Sequence, residues 1–85
     1  MNSDFSINSF QVGEILKTVI PQIVEVVSPK KIVLFGSAAR KESDKYNDID
    51  LLIVVNDGTH RRETAQLLYR KVRSGAVPVD FVVAT

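Results

Sequence analysis

The stretch KKIVLFGSAARKESDKYNDIDLLIVV, residues 30–55, decides how this chain folds. It holds two short apolar runs, residues 32–35 and 51–55, each rich in β-branched side chains and bounded by polar or turn-forming residues. Such runs read as strands buried on both faces. Gly36 ends the first of them, where a residue without Cβ lets the backbone take an unusual φ or come close to a ligand. Ser37 then opens a short helix, Ala38-Ala39-Arg40-Lys41, whose hydroxyl and first N–H groups would face an anion. After ten intervening residues, 38–47, come Asp48 and Asp50. Two apart in an extended segment, they point to the same side, about 6.6 Å apart at Cα. Like charges so placed repel unless a cation joins them. Hard oxygen donors of this kind suit Mg²⁺, which bridges carboxylates and substrate phosphates.

Working outward, a third carboxylate, Asp80, lies in Val79-Asp80-Phe81-Val82-Val83. A carboxylate inside an apolar strand needs a partner if it is buried. Each motif has a plainer reading alone: Gly-Ser as a turn, Asp-x-Asp as a solvated strand edge or a helix cap. Their combination carries the argument.

The order Gly-Ser, ten residues, Asp-x-Asp resembles the signature of the nucleotidyltransferase superfamily that includes DNA polymerase beta. The local wording, Phe35-Gly36-Ser37-Ala38-Ala39-Arg40 followed by Asn47-Asp48-Ile49-Asp50-Leu51-Leu52, most resembles its minimal nucleotidyltransferase (MNT) branch, and the likeness runs from about residue 29 to residue 83. The resemblance implies an α/β (α+β) fold, a small mixed β-sheet with helices packed mainly on one face. It implies that Gly36 and Ser37 bind a nucleoside triphosphate, and that Asp48, Asp50 and Asp80 are the catalytic and metal-binding carboxylates, holding two Mg²⁺ ions. Arg40 is placed to reach a phosphate, with a solvated helix charge as the equal alternative. Lys41 departs from the pattern, since many relatives carry glycine there. The implied reaction is transfer of a nucleoside monophosphate, AMP from ATP, to a hydroxyl on a HEPN-type protein partner, with this chain as the antitoxin of a toxin–antitoxin pair. Two alternatives stay open. One is a catalytically inert nucleotide- or partner-binding module that neutralises the toxin by contact; the other is an aminoglycoside-type small-molecule nucleotidyltransferase, although relatives of that kind carry an additional helical domain.

Composition bounds these readings. With 85 residues there is room for a single domain, residues 1–85, with a modest core. The apolar fraction of 45% and charged fraction of 25% are ordinary for a globular chain. A net charge of +1 gives no case for general nucleic-acid binding. Absence of cysteine excludes disulfides and thiolate metal sites and fits a cytoplasmic location. No apolar run reaches the roughly 20 residues that span a bilayer, and the N-terminus lacks a leader pattern.

In the remainder, residues 1–7 read as loosely held. Asn8 or Ser9 is a candidate helix cap, with Gln11 at the capping-box position relative to Asn8. Val12, Ile15, Leu16, Val19, Ile20, Ile23, Val24 and Val27 follow at helical spacing. Pro21 interrupts them, predicting a kink or two shorter helices. Tyr46 reads as an aromatic at the edge of the core rather than a base-stacking platform. Asn56-Asp57-Gly58 is a turn, and Thr59 is the expected cap of a helix bearing Ala65, Leu68 and Val72 inward and Arg61, Arg62, Arg70, Lys71 and Arg73 in solvent. His60 has no ligand partners at useful spacing. Relatives continue beyond the third-carboxylate strand, so the chain is expected to be a very small member or a truncated one. Either way one sheet face is left short of cover, which a homodimer or a partner would supply.

Overall fold

Asn8 starts the first helix by a reciprocal exchange: its side chain accepts from the Gln11 N–H at 2.8 Å, and the Gln11 side chain accepts from the Asn8 N–H at 3.0 Å. Two of the donors that a helix leaves orphaned at its N-terminus are thereby satisfied. The helix, α1 (Ser9–Val27), ends at Ser28, which takes a left-handed conformation with φ 46°. These coordinates belong to a computed structural model that describes residues 7–40, 46–75 and 77–85.

α1 crosses Pro21 as one element rather than two. Proline deletes the bond to the Lys17 carbonyl, but Pro21 is exposed, so water can take that carbonyl. Val19 and Ile23, fully buried on either side, hold both halves of the helix to the core. Gln22 adds a side-chain tie, accepting from the Arg73 N–H and donating to the Arg73 carbonyl, both at 2.7 Å.

The other elements follow in order: β1 (Lys31–Phe35), α2 (Ser37–Arg40), β2 (Ile49–Val54), α3 (Arg61–Lys71) and β3 (Val79–Ala84). The three strands form one mixed sheet in the order β1-β2-β3. β1 runs antiparallel to β2, and β2 runs parallel to β3 through the α3 crossover. This is the mixed α/β architecture expected from the sequence. α3 is capped by His60, whose Nδ1 accepts from the Glu63 N–H at 3.3 Å, and not by Thr59. Thr59 instead closes the preceding turn, its N–H bonding the Asn56 carbonyl at 3.1 Å. Arg61, Arg62, Arg70, Lys71 and Arg73 are exposed, as a solvated face requires.

The core lies on one side of the sheet. Ile49, Leu51, Ile53 and Phe81 point to it and meet Val12, Val19 and Ile23 of α1 and Leu68 of α3. The apolar runs predict strands buried on both faces, but the helices cover one, which agrees with the one-faced packing that the family resemblance implies. Strand side chains alternate in direction, so Val33, Phe35, Leu52, Val54 and Val82 lie on the second face. There Phe35 is 38% and Val82 48% exposed. The continuous apolar run of β2 hid this alternation, because both of its faces carry β-branched or leucine side chains.

Residue 7 is not loose. Ile7 is buried and exchanges two backbone hydrogen bonds with Tyr46, each 2.8 Å, in an isolated antiparallel bridge. Tyr46 is itself buried and joins the core, as expected of an aromatic there. Lys41 lies outside the described residues, and among those described no helix is long and apolar enough to cross a membrane.

Candidate active site

Asp50 is the second residue of β2 and lies between two partners in register, Phe35 of β1 and Asp80 of β3. Residues paired across neighbouring strands project to the same face, so Asp50 and Asp80 stand side by side. Asp48, two residues earlier, points the same way. One carboxylate oxygen from each of the three lies within 4.8 Å of the others. Asp48 and Asp50 are half-buried and Asp80 is exposed. All three are on the face of the sheet that the helices leave uncovered. Strand alternation thus sends Ile49 and Leu51 into the core and sends the acid between them to solvent.

The three charges load one another. The Asp50 carboxyl is held above its ordinary range, first by burial, then by the charges of Asp48 and Asp80 and by a hydrogen bond with Asp80. Opposite ligands of one Mg²⁺ are about 4.2 Å apart, from a metal–oxygen distance of about 2.1 Å. The carboxylate oxygens therefore need only a small inward rotation to share a hard divalent cation. In donor type and spread, the residues present fit Mg²⁺.

The Gly36-Ser37 bend borders this cluster. Gly36 has φ +79°, a left-handed value that costs any residue with a Cβ. A Cβ there would also collide with the Asp50 carboxylate. Glycine suits this position twice over, through the left-handed turn and through the acid packed against it. Its carbonyl accepts from the N–H groups of Ala39 and Arg40 at 3.2 Å each, closing the single turn of α2. The first N–H groups of such a turn have no helical carbonyl to reach. Ser37 is half-buried, Ala38 is buried against the core, and Arg40 ends α2 with its residue exposed.

One feature of the site has almost no signal in the sequence. The Ile7–Tyr46 bridge fixes the chain two residues ahead of Asp48. Its only signal was a single isoleucine in a polar segment, too little to assign a strand.

A family model described as a nucleotidyltransferase domain matches residues 15–85, which contain every candidate site residue. Neither a curated protein nor a solved structure gives a significant match to the chain.

Proposed function

The chain belongs to the nucleotidyltransferase-domain family, and from that premise we propose that it moves AMP from ATP to a hydroxyl on a HEPN-type toxin, acting as the antitoxin of the pair. Membership supports nucleotidyl transfer as the class of activity. The observation that carries the site is the convergence of three carboxylates on the open sheet face, beside the Gly36-Ser37 bend. The donor and the protein acceptor rest on the MNT-like wording around Gly36 and Asp48. The uncovered face next to Asp80 leaves room for a macromolecular acceptor.

In this reading the acceptor oxygen bonds to the α-phosphorus, the bridge from the α- to the β-phosphate breaks, and pyrophosphate leaves. Positioning and charge neutralisation supply most of the acceleration in such displacements. Asp48, Asp50 and Asp80 would hold Mg²⁺, which when bound would neutralise triphosphate charge and lower the pKa of the acceptor hydroxyl. Gly36 lets a phosphate approach the backbone, and Ser37 donates its hydroxyl to a phosphate oxygen. Asp80, the most exposed of the three acids, receives the acceptor's proton on a carboxylate oxygen.

The test is label transfer. The protein is incubated with Mg²⁺, each α-labelled nucleoside triphosphate in turn, and the helical partner encoded beside it. The expected outcome is one nucleoside monophosphate added to the partner, with ATP preferred. If the partner is inhibited but unchanged in mass, and equally so when Asp48 and Asp50 are both replaced by alanine, neutralisation is by contact and the enzymatic reading is wrong.

A further inference from the structure

Asp80 is the least sheltered of the three acids and stands on β3, an edge strand with nothing paired beyond it among the described residues. The side of β3 that faces β2 is fixed by the ladder. Ile49 donates to the Pro78 carbonyl at 3.1 Å and Val55 to the Ala84 carbonyl at 2.7 Å. In a parallel pair, alternate residues turn both backbone groups toward the neighbour. The even-numbered residues of β3, Asp80 among them, therefore bond to β2, and Phe81 turns its N–H outward to the free edge.

That outward N–H is taken. It donates to the hydroxyl oxygen of Tyr69 on α3 at 2.9 Å. The Tyr69 ring also meets the Phe81 ring edge-on, with centroids 5.1 Å apart at 68°. Tyr69 is otherwise 54% exposed, so this side chain leans across the strand edge rather than into the core. The peptide it grips is the one that joins Asp80 to Phe81.

We propose that Tyr69 is the positioning residue for Asp80: its hydroxyl and ring clamp the free side of β3, so that the third carboxylate is held at the distance from Asp50 at which the pair shares a divalent ion. The inference rests on reading Asp80 as a metal ligand. Without the clamp, β3 is held on one side only, and the edge strand can move outward by the few tenths of an ångström that loosen a ligand set.

Tyr69→Phe removes the hydroxyl and keeps the ring, and the Phe81 N–H it abandons is at an edge where water can replace it. The experiment is a Mn²⁺ titration of wild type and variant, read by the electron paramagnetic resonance signal of the free ion, together with metal-free melting curves. Tyr69→Phe is expected to weaken Mn²⁺ binding roughly tenfold, the low end for groups that orient metal ligands, with the metal-free melting temperature nearly unchanged. A variant that binds Mn²⁺ as wild type does overturns the inference, whether or not its melting temperature falls, since a merely structural tyrosine would move only the latter. A wild type that takes up no Mn²⁺, or takes it up undiminished after Asp80→Asn, overturns the metal reading and this inference with it.

Discussion

Leu51 and Asp50 are neighbours on one strand and belong to different halves of the molecule. Leu51, 1% exposed, lies in the helix-covered face with Ile49, Ile53 and Phe81; Asp50 shares the open face with Asp80, Leu52 and Val82. The covered face gathers packing, and the open face gathers three acids close enough to repel one another. A site for a cation is built by leaving repulsion in place, so the second face should contribute to chemistry what it withholds from stability.

The sharpest way to break that division is to remove an acid. Asp48→Ala or Asp50→Ala should lower nucleotidyl transfer by roughly a thousandfold or more, because divalent-ion catalysis supplies several kcal/mol and about 1.4 kcal/mol is tenfold in rate. Neither variant should melt below wild type in metal-free buffer. Transfer measured with α-labelled ATP beside a melting curve checks both halves, and a variant that loses activity by unfolding would show that the open face also holds the fold together.

The converse test moves one residue along β2. Leu51→Ala should cost about 3 kcal/mol, within the range for a truncated buried leucine, while activity per folded molecule is kept. Leu52→Ala, on the half-covered face, should cost about 1 kcal/mol or less, in proportion to the smaller apolar area it buries. Urea unfolding of both separates the faces, and equal losses would mean that the sheet is covered on both sides in solution.

How legible this was in the sequence differs between the same two faces. The strands, the Gly36-Ser37 bend and the spacing of Asp48 and Asp50 could be read directly, because strand period and turn chemistry are local. Convergence of Asp80 on that pair is a matter of register between β2 and β3, separated by a whole crossover, and only the likeness to a family pointed to it. The single-sided sheet was implied by the family likeness but not by the apolar runs themselves, because Val33, Leu52 and Val82 are as apolar as the residues of the core face and the pattern shows no alternation. Of the two outcomes that Pro21 allowed, a kink or two shorter helices, the division into two does not occur. A missing hydrogen bond is tolerated where the carbonyl meets water and buried side chains on both flanks hold the helix, and burial is not written in the local sequence. Ile7 was lost with its polar neighbours, since one bridging residue leaves no period to detect.

Gly36 joins the two faces, ending β1 and touching the acids, so its replacement should be felt in both. Gly36→Ala should destabilise the protein by about 1–2 kcal/mol, the cost of a Cβ in a left-handed conformation. The collision is with the end of the Asp50 side chain, which can rotate away. That movement keeps the fold but takes a ligand from the cluster, so Mn²⁺ binding should weaken by more than the stability loss explains. Calorimetric titration with Mn²⁺ against urea unfolding separates the two, and a variant that loses stability alone would confine Gly36 to the turn.

The smallest effect tests the burial and the neighbouring charges that act on Asp50. Because the Asp50 carboxyl is held above its ordinary value of 3.8, the folded protein keeps this proton at pH values where the unfolded chain has released it. Between the two values the folded state binds more protons, so stability falls as pH rises through that window and the penalty stays constant above it. Asp50→Asn has no proton to lose there. In metal-free buffer the variant should match wild type most closely at the acid end, gain on it as pH climbs through the window, and hold a constant lead in melting temperature at neutral pH. Mg²⁺ binds the ionised folded form and should raise the wild-type melting temperature, narrowing or reversing that lead. A difference that stays flat with pH and is indifferent to Mg²⁺ would mean that the three acids do not interact, and the contrast between the faces would reduce to one of packing alone.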